Sequence, residues 1–422
     1  MTTCAHTPRR ALRALLALAG LLLLLPVSVR GEGQPPPSGV AGLLDTASRA
    51  MRSARETGDP TWYGHARAAV DRALAIAPDD FAAQRTKSWV LLGQHEFRDA
   101  LVLAEQAVAR EPRDWMSWAN LTDAYVELGD YEHAVDAADR LAALRPGVPA
   151  YTRVAGLQAL LGDRATAIAT LEVAVATAEH AEPETLAWTL VHLGHEHLAL
   201  GDPGAASGDY ERALDAFADY HLALAGLARA RAAQGRTAEA IALATRAVER
   251  VPSPALYGLL ADLQTAAGQP AEAERALDTA RVMERLAATQ GLSYGREVAL
   301  VLADHDRDLP EALRVARADV ARRPDVYGDD VLAWTLHKIG RQAEAKRAAS
   351  RALRLGTEDA MLHYHAGMIA AALGRPGPAA RHLERALALA PAFDVRQAPM
   401  ARAALDAVRG TRLALLRGGS AR

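Results

Sequence analysis

Cysteine is almost absent: Cys4 is the single one in 422 residues. Intramolecular disulfides, iron–sulfur clusters and zinc sites built on cysteine are thereby excluded. Cys4 also precedes the apolar run Leu15–Leu25, whereas a lipoprotein cysteine would follow it. Aromatic residues make up only 5% beside abundant Ala and Leu, which suits close-packed helices and opposes a β-rich fold. Lysine occurs only at Lys87, Lys338 and Lys346, so arginine carries the remaining positive charge. At a formal net charge of −3 there is no basic surplus for a phosphate backbone, and nucleic acid is not an expected partner. No phosphate loop or dinucleotide fingerprint occurs either, and neither chemistry is expected.

What the chain does have is a repeated pattern. Trp115–Pro146 reads as two short amphipathic helices meeting at Gly129-Asp130. Small residues (Ala134, Ala138) stand where the helices must touch. Large ones (Trp118, Leu121, Tyr125, Tyr131, Leu141) fill the space between, and Pro146 ends the unit. The layout recurs at about 34 residues. Turns are expected at Gly162-Asp163, Gly201-Asp202, Gly235, Gly268, Gly340 and Gly374, with His95 in the glycine position of one copy and Arg307 in that of another. We count about ten hairpins. Each would be marginal alone, so stability must come from packing on its neighbours.

This pattern resembles the tetratricopeptide repeat family, over nearly all of the chain beyond the first forty residues. The resemblance implies an all-α, right-handed solenoid whose concave groove is lined by the first helix of each hairpin. It implies a non-catalytic scaffold that binds a peptide or protein segment in that groove. Carrying the groove positions over gives Arg85, Trp89, Asp123, Trp188, His195, Arg229, Tyr294, Asp330, Trp334, His337, Lys338 and Tyr364 as candidate partner contacts. Aromatic side chains mixed with arginine are the composition of binding hot spots. One subset of the family grips a C-terminal carboxylate with a Lys/Asn set. Here Asn120 stands one place early and Asp123 takes the Asn position, so that specificity is not implied. Trp115–Pro146, the best-formed copy, is expected to spend its residues on packing, apart from Asp123.

Other segments carry their own expectations. Residues 1–30 show a basic start (Arg9, Arg10, Arg13), an apolar run and Pro26, the layout of a secretory signal peptide or, if retained, a membrane anchor. Export to the periplasm or outside the cell is the expectation, with the membrane touched only through that segment. Loss of Arg9, Arg10, Arg13 and Arg30 would take the charge from −3 to −7. Residues 31–40 read as a Pro/Gly linker, 41–409 as the solenoid with breaks near 177–186 and 285–292, and 410–422 as a loose tail. His192, His195 and His197 invite an alternative reading, a metal-handling accessory protein. Their spacing opposes it, because His197 leaves the face shared by the other two and no H-E-x-x-H pattern occurs. No metal or cofactor is therefore assigned. Asp329-Asp330 is more simply a helix start than a catalytic carboxylate pair.

Overall fold

A computed structural model describes residues 39–289 and 295–419, with side chains placed for 39–285 and 295–410. The leader, the linker up to Ser38 and Tyr294 lie outside the described residues. The described chain folds as one body from Gly39 onward. It is all helix, as ten hairpins and a terminal helix: α1/α2 (Val40–Thr57, Thr61–Ile76), α3/α4 (Phe81–Gly93, Phe97–Arg110), α5/α6 (Trp115–Glu127, Tyr131–Leu144), α7/α8 (Val148–Leu160, Arg164–Ala178), α9/α10 (Pro183–Ala199, Pro203–Ala216), α11/α12 (His221–Ala233, Thr237–Arg250), α13/α14 (Pro254–Ala266, Pro270–Thr289), α15/α16 (Arg296–Asp304, Leu309–Arg322), α17/α18 (Val326–Lys338, Gln342–Ala352), α19/α20 (Ala360–Ala372, Pro376–Leu389) and α21 (Gln397–Gly419). Where a loose tail is expected from position 410, the backbone of α21 continues as helix to Gly419.

The Gly-Asp turn explains the hairpin. Gly129, Gly162 and Gly201 take φ of +72°, +88° and +76°, which L side chains avoid. The Asp that follows each accepts from a backbone N–H in the first turn of the next helix, an N-cap worth about 1 kcal/mol. His95 does adopt the left-handed conformation expected of its position, at φ +61°. In the eighth hairpin Asp306 and Asp308, not Arg307, take positive φ. In eight of the ten hairpins the fourth residue of the second helix is a fully buried alanine: Ala100, Ala134, Ala167, Ala206, Ala240, Ala312, Ala345 and Ala379. A larger side chain there would hold the paired helices apart.

The solenoid does not stay open. Its later hairpins stack on its earlier ones, with partners 194 to 197 residues apart. At about 34 residues per hairpin, one superhelical turn takes just under six hairpins. The Val326 N–H donates to Tyr131 Oη at 3.0 Å, Thr357 Oγ1 donates to the Leu160 carbonyl at 2.6 Å, and Arg164 Nε donates to the Glu358 carbonyl at 2.7 Å. Arg164, 5% exposed, also pairs with Glu196 and lies 3.7 Å from Asp359. The turn glycines make this approach possible. A Cβ on Gly129 would sit 2.5 Å from the Pro324 carbonyl oxygen, and one on Gly162 2.8 Å from that of Gly356. Turns of the first coil thus dock on linkers of the second. The superhelix thus completes more than one turn, with its later hairpins lying on its earlier ones.

Candidate functional site

The first helices of the first five hairpins (α1, α3, α5, α7 and α9) surround a cavity of about 870 Å³ on the inner side of the coil. That lies within the roughly 300–1,000 Å³ of ligand pockets. Its apolar wall is Trp89, Trp115, Met116 and Trp188, and four arginines stand around it: Arg55, Arg85, Arg145 and Arg153. Three of these are tied back to carboxylates. Arg55 reaches Glu184 at 3.2 Å, Arg85 reaches Asp114 at 2.8 Å, and Arg153 Nε donates to Asp123 at 2.7 Å. Arg145 differs. It is exposed, its guanidinium lies 5.2 Å from the Trp115 ring centroid, and it has no ion pair among the described residues. A guanidinium over an indole with no carboxylate of its own leaves its donors for an incoming anion.

Glu184 fixes the far wall. Besides Arg55 it accepts from Tyr220 Oη at 3.2 Å, and its neighbour Glu182 pairs with Arg52 at 2.9 Å. These pairs tie α1 to α9 across 129 residues. Trp188 is braced from behind: the His192 ring centroid is 4.1 Å away, His195 follows at 6.2 Å, and His195 Nδ1 is 2.6 Å from Tyr210 Oη. Burial lowers the His192 pKa to about 4, so this imidazole is neutral at pH 7. His195 keeps solvent contact, yet the surrounding protein, and then His192 and Arg229, depress its basicity too.

The residues singled out from sequence separate into four groups. Arg85, Trp89 and Trp188 line the cavity, and Asp123 stands behind it as the anchor of Arg153. His195 is about two turns beyond Trp188 along α9, and Arg229 borders a different cavity in the later hairpins. Asp330, Trp334 and Tyr364 are core residues and not groove contacts: they are 6%, 2% and 0% exposed. Trp334 Nε1 donates to Asp304 at 2.8 Å, its ring stacks on His365 at 4.3 Å, and His365 pairs with Asp330 at 2.8 Å. His337 and Lys338 flank this stack, His337 bonded to Gln342 and Lys338 to Asp306 at 2.7 Å. Their shared helix spacing put them on the groove side, but that side of α17 packs against α15 and α19 of the adjacent hairpins.

Trp115, Met116, Asn120, Arg145 and Arg153 were missed. The first four belong to the copy expected to serve packing apart from Asp123, yet they open on the cavity. Two tryptophans three apart, Trp115 and Trp118, were the available signal, since one hairpin needs only Trp118 inside. The metal alternative loses its geometry: His195 turns to Tyr210, and His197 Nδ1 lies 2.7 Å from Asp209. Among the described residues no three His, Cys, Asp or Glu are grouped as a metal site would need. No helix of the described residues is long and apolar enough to cross a membrane.

Residues 85–149 and 192–254 match the family model described as tetratricopeptide repeat. Both matched stretches are tetratricopeptide repeats. Such repeat proteins are generally non-catalytic scaffolds that bind other proteins. Tetratricopeptide repeat protein 33 of Mus musculus is 40% identical over 65 residues, which is 15% of this chain and 25% of that protein. The tetratricopeptide repeat and J domain-containing co-chaperone of Fusarium oxysporum is 32% identical over 98 residues, 22% of this chain and 19% of that one. The matched stretches thus span a quarter or less of these relatives. Among solved structures, a thermophilic tetratricopeptide repeat protein of Thermus thermophilus is similar over 46% of this chain and 99% of its own, at 23% identity and a TM-score of 0.40. Human IFIT1 is similar over 83% and 86%, at 15% identity and a TM-score of 0.47.

Proposed function

We propose that this tetratricopeptide repeat protein is a scaffold of the cell envelope that holds an extended protein segment in the first coil. The observation that carries this reading is one cavity bounded by three indoles (Trp89, Trp115, Trp188) with Arg145 lacking a carboxylate partner. Indoles offer large apolar area at little cost in side-chain freedom, and arginine adds a directional anion contact. The favoured occupant is a segment with an apolar or aromatic residue beside an acidic one. Asn120, whose Nδ2 is engaged by the Arg85 carbonyl at 3.1 Å, and Thr152 leave polar groups along the same wall for a peptide backbone. The envelope location rests on the three-part layout of residues 1–30. Fractionation of the native host checks it, and recovery wholly in the cytoplasm would remove that part of the reading.

The binding reading is tested by selecting a random peptide display library on the immobilised protein and on Trp188→Ala/Arg145→Gln. Enriched peptides are expected to pair an acidic with an aromatic residue. They should lose at least tenfold in affinity for the double variant, about 1.4 kcal/mol. Peptides that bind both proteins equally, or a selection that enriches none, would refute it.

A further inference from the structure

The later hairpins enclose a second cavity, about 320 Å³, which the peptide-holding role does not use. It lies between α9, α11, α13, α15 and α19 and the loop leading into α21. One side is apolar: Leu198, Leu259, Val301, Met361, Phe393 and Val395. The other side is rich in acceptors that protein donors do not satisfy. Gln397 is 5% exposed; its Nε2 donates to Asp304 at 2.7 Å, while its buried Oε1 has no partner. The amide cannot be turned round, since Oε1 would then face the Asp304 carboxylate. Asp262 Oδ1 is likewise buried without a hydrogen bond, with His305 Nε2 at 3.5 Å and Arg396 Nη1 at 3.7 Å.

The charges facing this space are unbalanced. Asp262, Asp304, Asp394 and Glu297 face Arg229 and Arg396. His305 supplies no charge at pH 7, because burial, then Arg396 and Arg307, lower its pKa to about 4. Asp394 is partly used as the cap of α21, accepting from the Arg396 and Gln397 N–H groups at 2.8 and 2.7 Å. The buried Tyr364 hydroxyl, also without a partner, belongs to the same neighbourhood. Neither Arg229 nor Arg396, which stays 3.7 Å from Asp262 Oδ1, hydrogen-bonds the two unpartnered oxygens.

We propose that this second cavity is a binding site for a primary alkylammonium group, whose nitrogen donates to Asp262 Oδ1 and Gln397 Oε1 while its alkyl stem lies along the apolar wall. An ammonium has three donors and no acceptor, the complement of what these two oxygens present. A metal ion is the poorer fit, because one side of the cavity is hydrocarbon and, among the described residues, no three ligating side chains converge. Burial, then Asp394 and Asp304, raise the Asp262 pKa to about 8, so this carboxyl is mostly protonated in the empty cavity at pH 7. An incoming ammonium favours the ionised form. Binding therefore releases a proton and tightens as pH rises toward 8, a range in which an aliphatic amine stays charged.

The test is titration calorimetry of the full chain with n-butylamine at about pH 6 and about pH 8, each in two buffers of different ionisation enthalpy. Saturable binding is expected, roughly tenfold or more tighter at the higher pH and with a proton released. Asp262→Asn should lower the affinity about tenfold and abolish the proton release, while Trp188→Ala changes neither. Two further ligands identify what carries the ammonium. If a capped Ala-Lys-Ala tripeptide binds as well as n-butylamine, a lysine side chain can enter; if only n-butylamine binds, the site takes free amines. No saturable binding of n-butylamine at about pH 8, equal binding of n-butanol, or an unchanged affinity in Asp262→Asn would overturn the proposal. Because Asn matches Asp in shape and removes a buried carboxyl, the variant is expected to fold, and its circular dichroism is the control.

Discussion

Gly129→Ala isolates the stacking of one coil on the next. At φ +72° an alanine pays for the left-handed conformation wherever it stands, about 1–2 kcal/mol, slightly offset by a stiffer unfolded chain. Gly235, at φ +76° in the same turn of the sixth hairpin, has nothing within 4 Å of its Cβ position, so Gly235→Ala measures that contribution alone. At Gly129 the new methyl would lie 2.5 Å from the Pro324 carbonyl oxygen and 3.0 Å from Arg354 Nη2. The backbone must part, because a carbonyl cannot rotate away as a side chain can. Overpacking of this kind costs about 1–3 kcal/mol. The Val326 N–H bond to Tyr131 Oη beside it is worth about 1 kcal/mol more. The excess of Gly129→Ala over Gly235→Ala is thus about 2–4 kcal/mol. Hydrogen exchange read by mass spectrometry suits a repeat array, whose unfolding need not be all-or-none. Amides at the start of α17 and in the loop between α18 and α19 should exchange roughly thirtyfold or more faster in Gly129→Ala and be unchanged in Gly235→Ala. Equal exchange in the two variants would refute the stacked coil.

Arg164→Met removes the donor shared by the Glu358 carbonyl, Glu196 and Asp359. The expected loss is about 2–4 kcal/mol, below that of a wholly dry pair because Glu196 keeps 18% of its side-chain exposure, and urea denaturation measures it. Trp334→Ala should destabilise by about 3–5 kcal/mol as a core truncation, while Trp188→Ala, half-buried on the cavity wall, should cost well under that; thermal melts compare the two. Asp262→Asn should stabilise the empty protein increasingly with pH. A carboxyl whose folded pKa is raised stabilises below its unfolded value near 4 and loses that contribution as pH rises through about 8, so the gain, on the order of a few kcal/mol, should develop across that window in melts taken from pH about 4 to about 9. A flat difference between wild type and variant across pH would contradict the buried, protonated assignment.

The hairpins were legible because each is fixed by residues close in sequence. Gly-Asp sets the turn and the cap, and an alanine four residues into the second helix sets the contact. Trp89 and Trp188 were placed on the inner face for the same reason, as position within a hairpin decides which way a side chain leaves its helix. The stacking of coils was not legible. It depends on small rotations between hairpins summed over six copies, and it is recorded only in pairs such as Tyr131–Val326 that no local pattern connects. Trp334 shows a second limit: its position is a groove position, but Asp304 and His365 of the two adjacent hairpins close on it and make it core. Arg145 shows the converse, since it sits at the end of a well-formed repeat and gains its role only when α7 and α9 curve round to share its cavity.

The account rests most heavily on the first-coil cavity as the place where a partner segment lies. A hydrogen-exchange footprint with a display-selected peptide tests this directly. Protection is predicted at the inner residues of α3, α5, α7 and α9 around Trp89, Asn120, Thr152 and Trp188, with the outer helices α4, α6 and α8 unchanged. Protection of those outer helices instead, with the inner faces exchanging as in the free protein, would contradict it.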